Sequence, residues 1–259
     1  MTRPLSELRG PVRALFSDVD GTMTTGDRIE AATYEALERL GEAGVPVVMV
    51  TGRPAGFGHA FMKMTPVLAC VAENGGVMFV REGRKLVKSY GVPPASLPEW
   101  RRRMNEIAVT VMSKVPGARL SSDSKYREVD LAIDWNEEVS LARDDAEACV
   151  EMIRKAGFAA VRSSVHVNFG PPHFDKLSAC QQVVRRVLGG DMNELAPYVY
   201  VGDALNDAPM FHGFPTSVGV ANVRTWWDEL AHKPAFITER PEGAGLRELV
   251  EHLLTLERR

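Results

Sequence analysis

Short continuous apolar runs alternate with helix-spaced apolar stripes over the first 66 residues of the chain. Val12–Ser17 and Val45–Val50 read as buried strands, Ala31–Ala43 as the amphipathic helix between them, and Pro54 as the opening of a second helix. Such alternation is the pattern of parallel βαβ units, in which helices cover the strands. A third run, Val67–Ala72, passes through Glu73-Asn74-Gly75-Gly76 into Val77–Val80, after which glycine and charge take over at residues 81–85. Gly75 or Gly76 is expected to take a positive φ in that turn. The alternation resumes with a helix over Asp175–Leu188, a strand at Tyr198–Gly202, a short helix near Asp207, apolar runs at Thr216–Ala221 and Ala235–Glu239, and a helix from Gly245 onward.

The stretch between these halves has its own periodicity and is of domain size. The expected organisation is therefore a core formed by residues 1–83 and 171–259, interrupted by an inserted α/β cap domain at 84–170. Trp100, Met104, Ile107, Ala108, Val111 and Met112 recur at helical spacing, and a second helix is expected over Asp144–Ala156. Val129, Leu131, Ile133 and Trp135 alternate with Glu128, Asp130, Ala132 and Asp134 as in a half-buried strand. Val161–Phe169 alternates likewise, with Arg162, Ser164, His166 and Asn168 on its polar side. One sheet face would then pack on the helices while the other stays polar. The run Arg101-Arg102-Arg103 reads as a solvated helix side, and Trp226 and Trp227 as packing residues.

Composition narrows the range of partners. The chain has 259 residues, 45% of them apolar and 25% charged, which suffices for a full core. A formal net charge of −3 provides no field for gathering nucleic acid or an anionic membrane, so neither is expected as a partner. Cys70, Cys149 and Cys180 are too few and too widely spaced for a disulfide framework or a CxxC metal site. The amino end lacks the apolar stretch of a signal peptide, and no later run is long enough to span a bilayer. A cytoplasmic protein is the expectation, monomeric or homodimeric.

The chemistry-bearing residues fall at strand ends. In an open parallel sheet, ligands bind beyond the carboxyl ends of the strands, and Asp18 and Asp20 stand at one such end. Paired carboxylates repel unless a cation or a shared proton offsets the repulsion. Asp203 follows another apolar strand, with Asn206 and Asp207 a helical turn later. Three strand-end carboxylates without paired His or Cys favour Mg²⁺ over zinc. Thr51, Gly52 and Arg53 follow a third strand and precede a helix whose free N–H groups and positive dipole end suit a phosphoryl group. Lys176 opens the helix after the insertion and brings a compact positive charge.

Asp18-Val19-Asp20-Gly21-Thr22, Thr51-Gly52-Arg53, the lone Lys176 after an insertion, and Gly202-Asp203-Ala204-Leu205-Asn206-Asp207 resemble the four motifs of the haloacid dehalogenase superfamily of phosphohydrolases. The match spans nearly the whole chain, and the placement of the insertion resembles the cap of subclass IIB, which includes sugar-phosphate phosphatases. The resemblance implies a Rossmann-like core with a parallel sheet and an α+β cap. It also implies that Asp18 is the nucleophile and Asp20 the acid and base. Asp18, Asp203 and the Asp20 backbone carbonyl would hold Mg²⁺; Thr51, Gly52 and Lys176 would hold the phosphoryl oxygens, with Asn206 and Asp207 orienting Lys176, Asp203 or metal-bound water. The implied reaction is hydrolysis of a small phosphorylated metabolite, a sugar phosphate or glycosylated osmolyte precursor. A phosphosugar mutase and a non-catalytic binding protein on the same scaffold are the alternatives; Thr51-Gly52-Arg53 argues against the first, and the presence of both Asp18 and Asp20 against the second.

The polar cap face would then look down on the phosphate site. His166 and Asn168, with Arg53 from the core, are the candidate substrate-binding residues, and Arg162, Ser164 and Asp130 are further candidates on that face. Thr22–Asp27 reads as a small flap, and Pro171-Pro172 as a semi-rigid hinge.

Overall fold

The computed structural model describes residues 2–256 and contains two sheets. The strands are β1 (Arg3–Pro4), β2 (Ala14–Ser17), β3 (Val47–Val50), β4 (Ala69–Ala72), β5 (Val77–Glu82), β6 (Lys85–Tyr90), β7 (Arg119–Leu120), β8 (Leu131–Asp134), β9 (Ala159–Arg162), β10 (His166–Gly170), β11 (Tyr198–Gly202), β12 (Thr216–Gly219) and β13 (Phe236–Ile237). The helices are α1 (Ala31–Glu42), α2 (Ala55–Met64), α3 (Leu97–Lys114), α4 (Arg143–Lys155), α5 (Lys176–Arg186), α6 (Ala208–Gly213) and α7 (Glu242–Thr255).

The larger sheet runs β1-β13-β12-β11-β2-β3-β4-β5-β6, parallel from β1 through β4 and closed at one edge by the antiparallel hairpin β5–β6. Its central strands are buried on both faces, which is why they read as unbroken apolar runs. Ala14 and Phe16 pack into one core cluster while Leu15 packs into the other. The α/β class with a mostly parallel sheet therefore stands. From β2 the chain proceeds outward to β3 and β4 and returns on the other side through β11, so the order reverses between β2 and β11. Asp18 and Asp203 are each the first residue past one of those two strands, and Asp18 N donates to Val201 O at 2.9 Å.

The smaller sheet runs β7-β8-β10-β9, entirely antiparallel, with α3 and α4 packed on one face. Two expectations need revision here. β6, on the far side of the change expected near Gly83, pairs with β5 and so belongs to the larger sheet; Gly83, at φ 57°, is the turn of a hairpin. Val161–Phe169 is two strands joined by a turn at Ser163–Val165, because β9 pairs back on β10 with Val167 opposite Arg162 and Asn168 opposite Val161. Residues opposite one another share a face, so Arg162 lies with Val167 and Phe169, not with His166 and Asn168. It bonds Glu147 at 2.6 Å and Glu229 at 2.9 Å, and its guanidinium stacks on Trp135 and Trp226.

The turn after β4 joins the two parts. Gly75 has φ 103° as expected, but Glu73 and Asn74 are also left-handed, at φ 50° and 54°. Backbone of this kind costs about 1–3 kcal/mol and persists only where the surroundings hold it. Here the buried Glu73 carboxylate accepts four backbone N–H groups: Ala55 at the start of α2 (2.8 Å), Glu128 (2.8 Å), Val129 (2.6 Å) and Asp130 (3.0 Å). One side chain thus pins the approach to β8 against the helix that follows β3. Glu73→Ala leaves those donors without their acceptor and is expected to lower the unfolding free energy by about 3 kcal/mol. Glu82→Ala on the exposed hairpin should stay within about 0.5 kcal/mol; denaturant titration distinguishes the two.

Candidate active site

The four stretches picked out in the sequence converge at the carboxyl edge of the larger sheet. Lys176 is the first residue of α5, whose N-cap Asp175 accepts Ser178 N at 2.7 Å and donates its own N–H to Ser178 Oγ at 3.2 Å. That reciprocal cap fixes where the helix begins, and the Lys176 side chain runs inward. Its ammonium donates to Asp18 Oδ1 at 2.8 Å and to Asp207 Oδ1 at 2.9 Å. Asp207 is fully committed: Tyr200 Oη donates to Oδ1 at 2.6 Å, and the N–H groups of Asp203 and Ala204 donate to Oδ2 at 3.0 and 3.1 Å. It orients Lys176 and the loop that carries Asp203.

Carboxylate oxygens of Asp18, Asp203 and Asp207 lie within 4.8 Å of one another, all three residues buried. Asn222 Nδ2 donates to Asp203 Oδ2 at 2.9 Å and to Gly21 O at 3.0 Å, tying the loops after β11 and β2 together. Asp203 Oδ1 is buried with no hydrogen-bond partner among the described residues. A buried anionic oxygen is costly unless paired or bound to a cation. Burial pushes the Asp18 carboxyl up to about 8, opposed by Lys176 and reinforced by Asp207 and Asp20. Burial, then Asp18 and Asp207, raises Asp203 well above the carboxylate range. Burial opposes the charge on Lys176, but the two aspartates outweigh it and its pKa rises. The orphaned oxygen and the all-oxygen donor set fit a hard divalent cation between Asp18 and Asp203.

Thr51, Gly52 and Arg53 form the turn between β3 and α2. Thr51 is buried, and its hydroxyl accepts the Arg53 N–H at 3.0 Å. Arg53, expected on the substrate, lines the cleft and grips both oxygens of Asp20, at 2.6 to 3.0 Å, and lies 3.6 Å from Glu137. Glu137 is also 2.8 Å from His166 Nε2. The cap side of the cleft is the turn Ser163–Val165 with His166 and Asn168, facing Asp18, Asp20, Asp203 and Asn206. His166, Asn168 and Asp130 thus share one buried face of the smaller sheet, and His166, Asn168 and Asn206 line the cleft.

Three polar residues at the site were not singled out in the sequence. Asn222 follows the apolar run of β12, the same strand-end placement that marked Asp18 and Asp203, so a signal for it existed. Arg127 has a wholly buried side chain; it donates to Gly52 O at 2.9 Å, Asp130 Oδ1 at 2.8 Å, Asn168 Oδ1 at 3.3 Å and both oxygens of Asp123. A lone arginine ahead of a strand carries no mark of this role. Glu137, in the loop after β8, has none either.

Residues 15–113 match the family described as haloacid dehalogenase-like hydrolase. The chain is 28% identical to a phosphoglycolate phosphatase of Archaeoglobus fulgidus over 93% of its own length and 96% of that protein. Among solved structures it is similar to a Thermoplasma acidophilum protein, with a TM-score of 0.73 at 20% identity, covering 94% of this chain and 99% of the other. It is also similar to the sucrose-phosphatase of Synechocystis, solved with sucrose and phosphate, with a TM-score of 0.66 at 16% identity over 95% and 98% of the two chains. The latter two likenesses concern the fold.

The raised carboxyls have a consequence for stability without added metal. Between the usual aspartate range near pH 4 and their raised values, Asp18 and Asp203 hold protons in the folded protein that the unfolded chain has released, so stability falls as pH rises through that window. In EDTA, Asp203→Asn should therefore gain melting temperature relative to wild type between pH 6 and about pH 8. Melting curves of the two proteins that run parallel across this range would contradict the assignment.

Proposed function

We propose that this chain is a phosphatase of the haloacid dehalogenase-like kind and hydrolyses the phosphomonoester of a small polar metabolite in a Mg²⁺-dependent reaction through an aspartyl-phosphate on Asp18. The observation that carries this reading is the meeting of Asp18, Asp203 and Lys176 at the point where the strand order reverses. Asp18, Asp203 and the Asp20 carbonyl are the residues that would hold the cation. When bound, Mg²⁺ would supply positive charge against the anionic nucleophile and the phosphoryl oxygens.

An Asp18 oxygen attacks phosphorus as the bond to the leaving oxygen breaks, and the Asp20 carboxyl delivers a proton to that oxygen. Water then attacks the phosphorus of the aspartyl-phosphate and gives its proton to Asp20; the bond to Asp18 breaks and inorganic phosphate leaves. Thr51, the Gly52 N–H and Lys176 hold the phosphoryl oxygens as charge shifts among them, and positioned donors of this kind commonly contribute about 3 kcal/mol each. Asp207 keeps Lys176 aimed. Because Arg53 occupies both oxygens of Asp20, proton delivery requires that grip to loosen when substrate enters.

The unit carrying the four-stranded sheet acts as the cap. Arg127 and Glu73 anchor it to the phosphate loop, and the turn Ser163–Val165 with His166 and Asn168 closes over the leaving group. The polar groups on the cap side of the cleft, Ser163, Ser164, His166 and Asn168, support a hydroxylated leaving group such as a sugar or polyol, and the archaeal relatives' name makes phosphoglycolate the second reading.

Asp18→Asn should lower hydrolysis of an aryl phosphate by at least about 10⁴-fold, since an amide oxygen is a poor nucleophile. Wild type should fall silent in EDTA and recover with Mg²⁺. Malachite-green assays of phosphate release check both, and activity surviving in pure Asp18→Asn would sink the nucleophile assignment.

A further inference from the structure

Proton delivery by Asp20 needs one of its oxygens free, yet both accept from Arg53: Oδ1 from Nη2 at 2.6 Å and from Nε at 2.8 Å, and Oδ2 from Nε at 3.0 Å. Burial opposes the charge on this guanidinium, and the acids around it outweigh that effect and keep it charged. A half-buried cation of this kind leaves its partner at little cost only where a second carboxylate stands within reach. Besides Asp20, two acids act on Arg53: Glu137 and Asp123.

Asp123 is already spent, because its two oxygens accept from Arg127 at 2.9 and 3.0 Å. Glu137 is not. Its Oε1 faces Arg53 Nη2 at 3.6 Å, and a shift of about 0.8 Å would bring the pair to the length of a charge-assisted hydrogen bond. The other oxygen, Oε2, lies 2.8 Å from Nε2 of the buried His166. Asp134, opposite His166 in the smaller sheet and buried, accepts the N–H groups of Glu137 at 2.9 Å and Glu138 at 3.0 Å. Two neighbouring strands thus hold one loop carboxylate beside Arg53. The contact with His166, opposed by burial and aided by the charge on Arg53, holds the Glu137 carboxyl below its usual range.

We propose, resting on the phosphatase reading above, that Glu137 is a positioning residue for the acid–base step: as substrate enters, Arg53 exchanges Asp20 for Glu137, and an Asp20 oxygen is released to the leaving group. The exchange swaps N–H···O bonds on one carboxylate for N–H···O bonds on another. No proton moves in it, and the cation is never left unpaired. Because Glu137 stands in the loop after β8, the receiving carboxylate is supplied by the smaller sheet, and Asp20 is freed only while that sheet is seated on the core. Without the Glu137 charge, Arg53 stays on Asp20, and hydrolysis suffers most for the leaving groups that most need a proton.

Glu137→Gln keeps the shape of the side chain and removes its charge. Single-turnover consumption of two esters of one framework reads the first chemical step alone: phenyl phosphate, whose leaving oxygen needs a proton, and 4-nitrophenyl phosphate, whose leaving oxygen needs one far less. The ratio of the phenyl to the 4-nitrophenyl rate should fall about tenfold in Glu137→Gln, while Glu138→Gln, next to it on the same loop, should keep the wild-type ratio. Wild-type crystals with Mg²⁺ and orthovanadate give a second reading that needs no variant: Arg53 should be bonded to Glu137, with at least one Asp20 oxygen free of it. A ratio unmoved by Glu137→Gln, whether or not both rates fall, or Arg53 still on both Asp20 oxygens in the vanadate complex, overturns the exchange and leaves the phosphatase reading intact. Wild type that consumes neither ester overturns both.

Discussion

An excess of buried negative charge is the constraint on which the rest of this molecule is arranged. Asp18, Asp203 and Asp207 meet within 4.8 Å, and the ammonium of Lys176 is the cation bonded among them. Asp207 spends both oxygens on Lys176, Tyr200 and two backbone N–H groups, leaving Asp18 and Asp203 to carry the imbalance. Such a cluster is destabilising unless a further positive charge joins it. The fold tolerates that cost where a parallel sheet reverses its strand order, because two adjacent strand ends bring the acids together without any long-range loop to order.

Much of this geometry was legible in the chain. Asp18, Asp203 and Thr51-Gly52-Arg53 each follow an unbroken apolar run, and such runs are buried parallel strands whose ends share one edge. Lys176 was legible because it opens the helix expected where the alternation resumes after the insertion. What escaped was set by pairing between distant segments. The alternation in Val161–Phe169 continues through a hairpin turn, and nothing in a period of two shows where a strand folds back; Arg162 therefore moved to the opposite face. The pairing of Arg53 with Asp20 likewise joins segments 33 residues apart, and no local pattern marks it.

The link between the two sheets rests on side chains bonding backbone. Glu73 gathers N–H groups from both parts, and Arg127 reaches from the approach to β8 to the carbonyl of Gly52. Both contacts end on the segment that would hold the phosphoryl group, so movement of the smaller sheet is felt there directly. The same turn carries Asn74, which follows Glu73 directly and lies against Gly52.

The central claim is that Asp18 and Asp203 share one divalent cation. Crystals grown with Mn²⁺ in place of Mg²⁺ test it most directly through the anomalous signal of the metal. The account predicts a single strong peak about 2.2 Å from a carboxylate oxygen of each residue, with none in Asp203→Asn crystals. A peak elsewhere, or an ordered site without metal in crystals that still turn over substrate, would contradict it.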